Sequence, residues 1–174
     1  PLAILAGMTA AALVAGNCAI MKPAASAQIV AHRFMEILRA AGFPPGVCQL
    51  LPGRGDAIGD FLVGHPQVAV IAFTGSREVG LAILEKAART VPGQTHVKRV
   101  VCEMGGKNAI IVDADADLDD AVAQIIQSAF GYQGQKCSAC SRVIAVGAVH
   151  DRLVARLAAA LDAFRYGPPE DPQF

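Results

Sequence analysis

Two stretches of this 174-residue chain hold residues able to do chemistry. One is Phe130-Gly131-Tyr132-Gln133-Gly134-Gln135-Lys136-Cys137-Ser138-Ala139-Cys140; the other, upstream, is Glu103-Met104-Gly105-Gly106-Lys107. A thiol among small and polar residues is suited to being presented to a substrate. A lone carboxylate before a Gly-Gly break is placed to act on what approaches it. Together, Cys137 and Glu103 suggest covalent catalysis through a thiohemiacetal and a thioester, with the carboxylate managing the water.

Three further turns lie where a ligand could be held. Phe73-Thr74-Gly75-Ser76 ends an apolar run and opens a helical pattern, so its backbone N–H groups and hydroxyl can face an anion. An ordinary turn capped by Ser76 reads equally well. The spacing from Gly75 to Gly80 is that of a phosphate loop, but Leu81 stands where that loop needs Lys. Gly53-Arg54-Gly55-Asp56-Ala57-Ile58-Gly59 follows a strand pattern, but its third glycine comes one residue late for a dinucleotide fingerprint. Lys22-Pro23 puts a cation at a strand's C-terminal end, where open α/β sheets bind ligands; a solvated Lys at a turn is the plain alternative.

Metal and redox chemistry find less support. Cys137 and Cys140 form a C-x-x-C pair, but no second pair exists, and His32, His65, His96 and His150 are isolated. The pair also follows a long helical pattern, whereas a thioredoxin-like motif opens near the start of a βαβ unit. Cys140 reads as a buried neighbour, and Cys18, Cys48 and Cys102 as core residues on apolar strands. The acidic run from Asp113 to Asp120 has Leu118 and Gln124 where an EF-hand needs Gly and Glu. Helix capping accounts for it.

The elements that must position these residues follow from periodicity and breakers. Residues 2–14 read as a helix stopped by Gly16-Asn17, and 18–21 as a strand ending at Lys22-Pro23. In 28–41, Ile29, Val30, Phe34, Ile37, Leu38 and Ala41 share one helical face, and Gly42 ends the pattern. Strands follow at 47–51, 68–73 and 99–102, with helices at 56–63 and 77–89. The run 68–73 is continuously apolar, as a parallel strand buried on both faces is. After Gly105-Gly106 the pattern restarts: strand 109–112, helix 118–130, strand 142–146, helix 151–164, then a turn-rich exit at 167–172. This alternation predicts an α/β fold, a Rossmann-like parallel sheet with helices on both faces, plus the first part of a second α/β domain. Residues 1–104 form the first domain in this reading and 105–174 the second.

Composition narrows the classes. The chain is 53% hydrophobic and 17% charged with a formal net charge of +0, so nothing favours nucleic acid or an acidic membrane surface. Residues 1–21 carry no charge, but they lack a basic leading region, and Gly7, Thr9, Gly16 and Asn17 dilute them; a buried helix running into a buried strand is expected. Five scattered cysteines point to reduced thiols in a cytoplasmic compartment.

The order and spacing of Phe73-Thr74-Gly75-Ser76, Glu103-Met104-Gly105-Gly106-Lys107 and Gly134-Gln135-Lys136-Cys137 resemble the NAD(P)-dependent aldehyde dehydrogenases. The resemblance covers nearly the whole chain, including Lys22-Pro23-Ala24 and the Gly53-Arg54-Gly55 loop. Within that family, the run from Ser128 to Arg142 looks like the 1-pyrroline-5-carboxylate (glutamate semialdehyde) dehydrogenases of proline catabolism, and Pro92-Gly93-Gln94 through Glu103 supports that branch less strongly.

The resemblance implies roles. Cys137 would attack the aldehyde carbon, its backbone N–H would give half an oxyanion hole, and Glu103 would activate water. Lys22, Pro23, Gly53, Thr74, Gly75, Ser76 and Gly105 would lie along the NAD site, and Ser138 beside the small aldehyde substrate. Many relatives carry Glu where Ala25 stands; without that carboxylate, NAD and NADP both stay open. The family's oxyanion Asn precedes the Pro matched by Pro1, and its Glu-x-Phe-Gly-Pro motif, substrate-carboxylate anchor and oligomerisation elements are absent. The chain therefore reads as the central part of a homo-oligomeric enzyme, with little or no turnover by itself. Another semialdehyde oxidiser, or a nucleotide-binding or redox module with Cys137 paired to Cys140, remains as an alternative.

Overall fold

The computed structural model describes residues 2–168, 170 and 171. Pro1 and part of the expected exit turn at 167–172 lie outside the described residues. The fold alternates helices and strands: α1 (Leu2–Val14), β1 (Ala19–Met21), α2 (Gln28–Ala40), β2 (Cys48–Leu50), α3 (Gly55–Gly64), β3 (Val70–Thr74), α4 (Arg77–Ala87) and β4 (Arg99–Glu103). These are followed by β5 (Asn108–Val112), α5 (Leu118–Phe130), β6 (Cys140–Ala145) and α6 (His150–Asp162). The chain divides into two compact units, Pro1–Met104 and Gly105–Phe174.

Every strand pairing among the described residues is parallel. The pairs are β1 with β2, β3 with β4, and β5 with β6, and a helix carries the chain between the members of each. This is the βαβ arrangement that alternating apolar runs and helical patterns predict. The breakers act where expected: Gly16 (φ 78°) ends α1 and Gly42 (φ 86°) follows α2, each in the left-handed region that glycine tolerates. Asp117 caps α5, its Oδ1 accepting the N–H groups of Asp119 (2.9 Å) and Asp120 (3.3 Å).

Each unit has its own core. In the first, Met21, Met35, Leu38 and Cys48 are buried together, with Leu5, Leu13 and Phe34 against them. In the second, Val112, Leu118, Val122, Ile125, Val149 and Leu153 form the core. Leu153 is 1% exposed; burying such a side chain contributes roughly 1.5–3 kcal/mol.

Four expectations change. Of the expected α2 stripe, Leu38 is buried and Phe34 packs on the core, but Ala31 and Met35 complete the packed face, while Ile29 is 80% exposed and Ile37 62%. Small Ala31 lets the helix approach its neighbours closely, which the bulkier stripe would prevent. The strand β3 is not buried on both faces: Val70 is 58% exposed and Val101 of β4 is 54% exposed. Helix α1, apolar all round, buries Thr9 and lays Leu5 and Leu13 on the core but leaves Leu2, Ile4 and Val14 exposed, because this chain covers only one side of a helix whose composition calls for cover on every side. Among the cysteines, Cys48 is buried, but Cys18 is exposed in the turn before β1, and Cys102 and Cys140 are half-buried.

Candidate functional site

In the first unit the singled-out residues sit at the C-terminal ends of parallel strands, where the chain turns into loops and helix starts. Lys22 follows β1. Its ammonium donates to the carbonyls of Pro23 (2.9 Å) and Gly53 (3.5 Å), so it bridges the ends of β1 and β2. The Leu51 N–H bonds the Met21 carbonyl at 2.9 Å and fixes the same junction. Pro23 is buried.

Thr74 and Glu103 are register partners at the ends of β3 and β4. The Gly75 N–H then donates to the Glu103 carbonyl at 3.1 Å, extending the ladder by one bond. Ser76 caps α4, its Oγ accepting the Val79 N–H at 3.4 Å. A Cβ on Gly75 would stand 2.5 Å from the Phe73 ring, so the turn stays tight because that residue has no side chain. Thr74 and Glu103 also line a mostly apolar groove of about 300 Å³ with Ile4, Gly7 and Met8 of α1.

In the second unit Cys137 is exposed on the loop between α5 and β6. That loop is built from unusual backbone. Tyr132 (φ 57°) and Gln133 (φ 55°) are left-handed although neither is glycine, and Gly134 (φ 67°) continues the turn. A left-handed residue with a side chain costs about 1–2 kcal/mol, and such strain gathers at functional segments. The reversal is closed by Gln135 N–H to Tyr132 carbonyl (3.0 Å) and Lys136 N–H to Gly134 carbonyl (2.9 Å). Ala139 N–H to Lys136 carbonyl (3.2 Å) wraps a further turn around Cys137 and Ser138, both exposed.

Gly105 lies between β4 and β5 with nothing within 4 Å of where a Cβ would stand. All five cysteines, Cys137 and Cys140 included, are free thiols. Among the described residues no group of His, Cys, Asp and Glu could hold a metal ion. No described helix is long and apolar enough to cross a membrane.

The aldehyde dehydrogenase family model matches residues 1–174. The chain belongs to that family. Among curated relatives of this aldehyde dehydrogenase chain, the 1-pyrroline-5-carboxylate dehydrogenase of Anoxybacillus flavithermus is 50% identical over 171 residues, which is 98% of this chain and 33% of the relative. Among solved structures, proline utilization A from Bdellovibrio bacteriovorus inactivated by N-propargylglycine superposes with a TM-score of 0.96 at 54% identity, over 99% of this chain and 18% of that one. The 1-pyrroline-5-carboxylate dehydrogenase from Thermus with bound NAD gives 0.93 at 47% identity, over 97% of this chain and 33% of that one. The chain thus spans about a third (33%) of the length of the curated relatives it matches.

The motifs left three positions of this aldehyde dehydrogenase chain unread. Asn108 at the start of β5 donates from Nδ2 to the carbonyls of Cys137 (2.7 Å) and Ala139 (3.3 Å). Ser128 Oγ accepts the Cys140 N–H at 3.2 Å, and Arg142 Nη2 donates to the Lys107 carbonyl at 2.7 Å. Ser128 and Arg142 are the ends of the run that carries the branch resemblance, which gave them no structural role, and the one signal for Asn108 was that it follows Lys107.

Proposed function

We propose that this chain is the central part of an enzyme that oxidises glutamate semialdehyde, the open form of 1-pyrroline-5-carboxylate, to glutamate with a nicotinamide dinucleotide. The observation that carries the reading is the exposed Cys137 thiol on a strained, hydrogen-bonded loop. Relatives of that name at 50% identity over 98% of the chain support the substrate class. Residues 1–104 then serve as the cofactor-binding part, and 105–174 as the first part of the catalytic domain. The activity belongs to a chain of the relatives' full length, and this segment by itself is expected to turn over little or no aldehyde.

In this reading the Cys137 thiolate adds to the aldehyde carbon, giving a thiohemiacetal whose oxygen is held by the Cys137 backbone N–H. A nicotinamide dinucleotide, when bound, would supply the acceptor for the hydride that leaves that carbon. The resulting thioester stays on Cys137 until Glu103 takes a proton from water. The water oxygen then forms the new C–O bond, the C–S bond breaks, and the thiolate is restored with release of the carboxylate.

The donor set fits a dinucleotide. Lys22 places a cation at the end of β1, and Thr74, Gly75 and Ser76 lead into α4, whose first N–H groups lie outside the helical ladder. Ala25, in the turn after Lys22, brings no carboxylate to compete with a 2′-phosphate, so both NAD and NADP are to be offered.

The test is reduced-cofactor formation by a full-length chain carrying this segment. Pyrroline-5-carboxylate is compared with short aliphatic aldehydes, each with NAD and with NADP. Strong preference for pyrroline-5-carboxylate is the expected result. Activity on other aldehydes alone would discard the substrate and keep the thiol chemistry.

A further inference from the structure

The geometry points to Asn108 as a positioning residue for the nucleophile, a role that rests on Cys137 being the attacking thiol. Asn108 opens β5, 29 residues from Cys137 in sequence, and its amide nitrogen donates to the Cys137 carbonyl at 2.7 Å and the Ala139 carbonyl at 3.3 Å. Both partners are carbonyl oxygens and accept only. The side-chain atom facing them is therefore the nitrogen, whichever way an amide could be drawn.

A second observation lies at the same place. Strand β6 pairs Cys140 with Asn108 and Arg142 with Ala109, so Ser141 is an extra residue and the ladder bulges. A bulge bends the strand and re-aims what precedes it, and here the preceding residues are the Cys137 turn. Two further bonds pin the flanks: Cys140 N–H to Ser128 Oγ at 3.2 Å, and Arg142 Nη2 to the Lys107 carbonyl at 2.7 Å.

Asn108 fixes the peptide plane on the C-terminal side of Cys137. That plane sets the Cys137 ψ angle, and with it the direction of the Cα–Cβ bond relative to β5. The loop is otherwise exposed and carries three consecutive left-handed residues, so local turns alone give it a weak hold. Loss of the clamp lets the thiol wander from its attack geometry without removing any group that binds cofactor.

The experiment uses the full-length chain with Asn108→Ala and Asn108→Asp, the latter keeping the shape and losing both N–H donors. Cofactor binding and the melting temperature show whether each variant is folded. Expected are a fall in kcat of about tenfold or more, with KM changed by less than about twofold. In the parent the exposed Cys137 should be alkylated by iodoacetamide faster than the half-buried Cys140, and in the variants that difference should shrink. A folded, cofactor-binding variant that keeps kcat within about twofold of the parent overturns the proposal. Where a variant does not fold, Asn108→Ser, with a donor on a shorter stem, is measured against the parent instead: a fall in kcat of about tenfold or more with KM held within about twofold supports the clamp, and kcat within about twofold of the parent contradicts it. Cys137→Ala runs in parallel. If that variant stays active, the nucleophile reading itself falls; if it is dead while Asn108→Asp is fully active, only the clamp falls.

Discussion

The backbone of Gly75 is bonded directly to that of Glu103: the Gly75 N–H donates to the Glu103 carbonyl at 3.1 Å. The start of α4 is thereby locked to the end of β4, one step beyond the last register pair, Thr74 with Glu103. A residue proposed to handle water and a turn proposed to lie along the dinucleotide thus share one rigid strand edge. The Glu103 carboxylate takes no part in that bond, so its chemistry can be changed without unlocking the edge.

Glu103→Gln in the full-length chain should therefore keep the fold and cofactor binding while losing the general base. General-base catalysis contributes typically 10²–10⁴-fold, so steady-state turnover should fall by about a hundredfold or more. The first-turnover burst of reduced cofactor should survive, because hydride leaves before water is needed. Stopped-flow measurement separates the two; an unchanged steady state removes Glu103 from the mechanism.

Gly134 should tolerate no side chain. Its φ is 67°, and a Cβ there would stand 2.9 Å from the Ala129 carbonyl oxygen, a backbone atom that cannot swing aside. Gly134→Ala should cost more than about 1 kcal/mol in urea denaturation and slow alkylation of Cys137. A variant as stable as the parent would show that the loop turns some other way.

Lys98 offers a test by pH. It is 7% exposed, and its ammonium donates to the carbonyls of Val68, at 2.9 Å, and of His65. Burial pushes its pKa below the ordinary 10.5. The unfolded chain then holds more protons than the folded one in the window just below 10.5, so this group's contribution to stability rises as pH climbs through that window. Burial moves Cys48 the other way, above 9.0, so its contribution falls as pH rises between 9.0 and its folded value. The comparison must therefore be between parent and variant. Lys98→Met should cost about 0.5–1.5 kcal/mol at neutral pH, because the His65 carbonyl keeps the Val68 N–H and the Val68 carbonyl keeps His96 Nε2 when the ammonium is removed. The parent's urea midpoint should gain on the variant's as pH climbs toward 10.5. Equal slopes in both would show that Lys98 titrates as though exposed.

Much of the positioning framework was legible in the chain. Helix starts and stops at Gly16, Gly42 and Asp117, and the strand ends at Lys22, Thr74 and Glu103, follow from breakers, caps and apolar runs that act locally. What escaped depends on partners distant in sequence. The packed face of α2 is chosen by how closely Ala31 lets the helix approach, and apolar periodicity cannot distinguish that from the stripe holding Ile29 and Ile37. The exposure of β3 reflects what covers it within this chain, and composition alone says nothing of that. Asn108 is a polar residue at a strand's start whose partners are backbone carbonyls 29 and 31 residues away, invisible to any local pattern. The left-handed Tyr132 and Gln133 were equally hidden, since neither residue type favours that backbone.

The central claim is that Cys137 carries the acyl group. Full-length Glu103→Gln protein, mixed with pyrroline-5-carboxylate and oxidised cofactor and quenched in acid, should hold a glutamyl thioester that protease digestion and mass spectrometry place on the peptide containing Cys137, with Cys18, Cys48, Cys102 and Cys140 unmodified. An adduct on another cysteine, or oxidation of the aldehyde with no thioester at any thiol, would contradict the account.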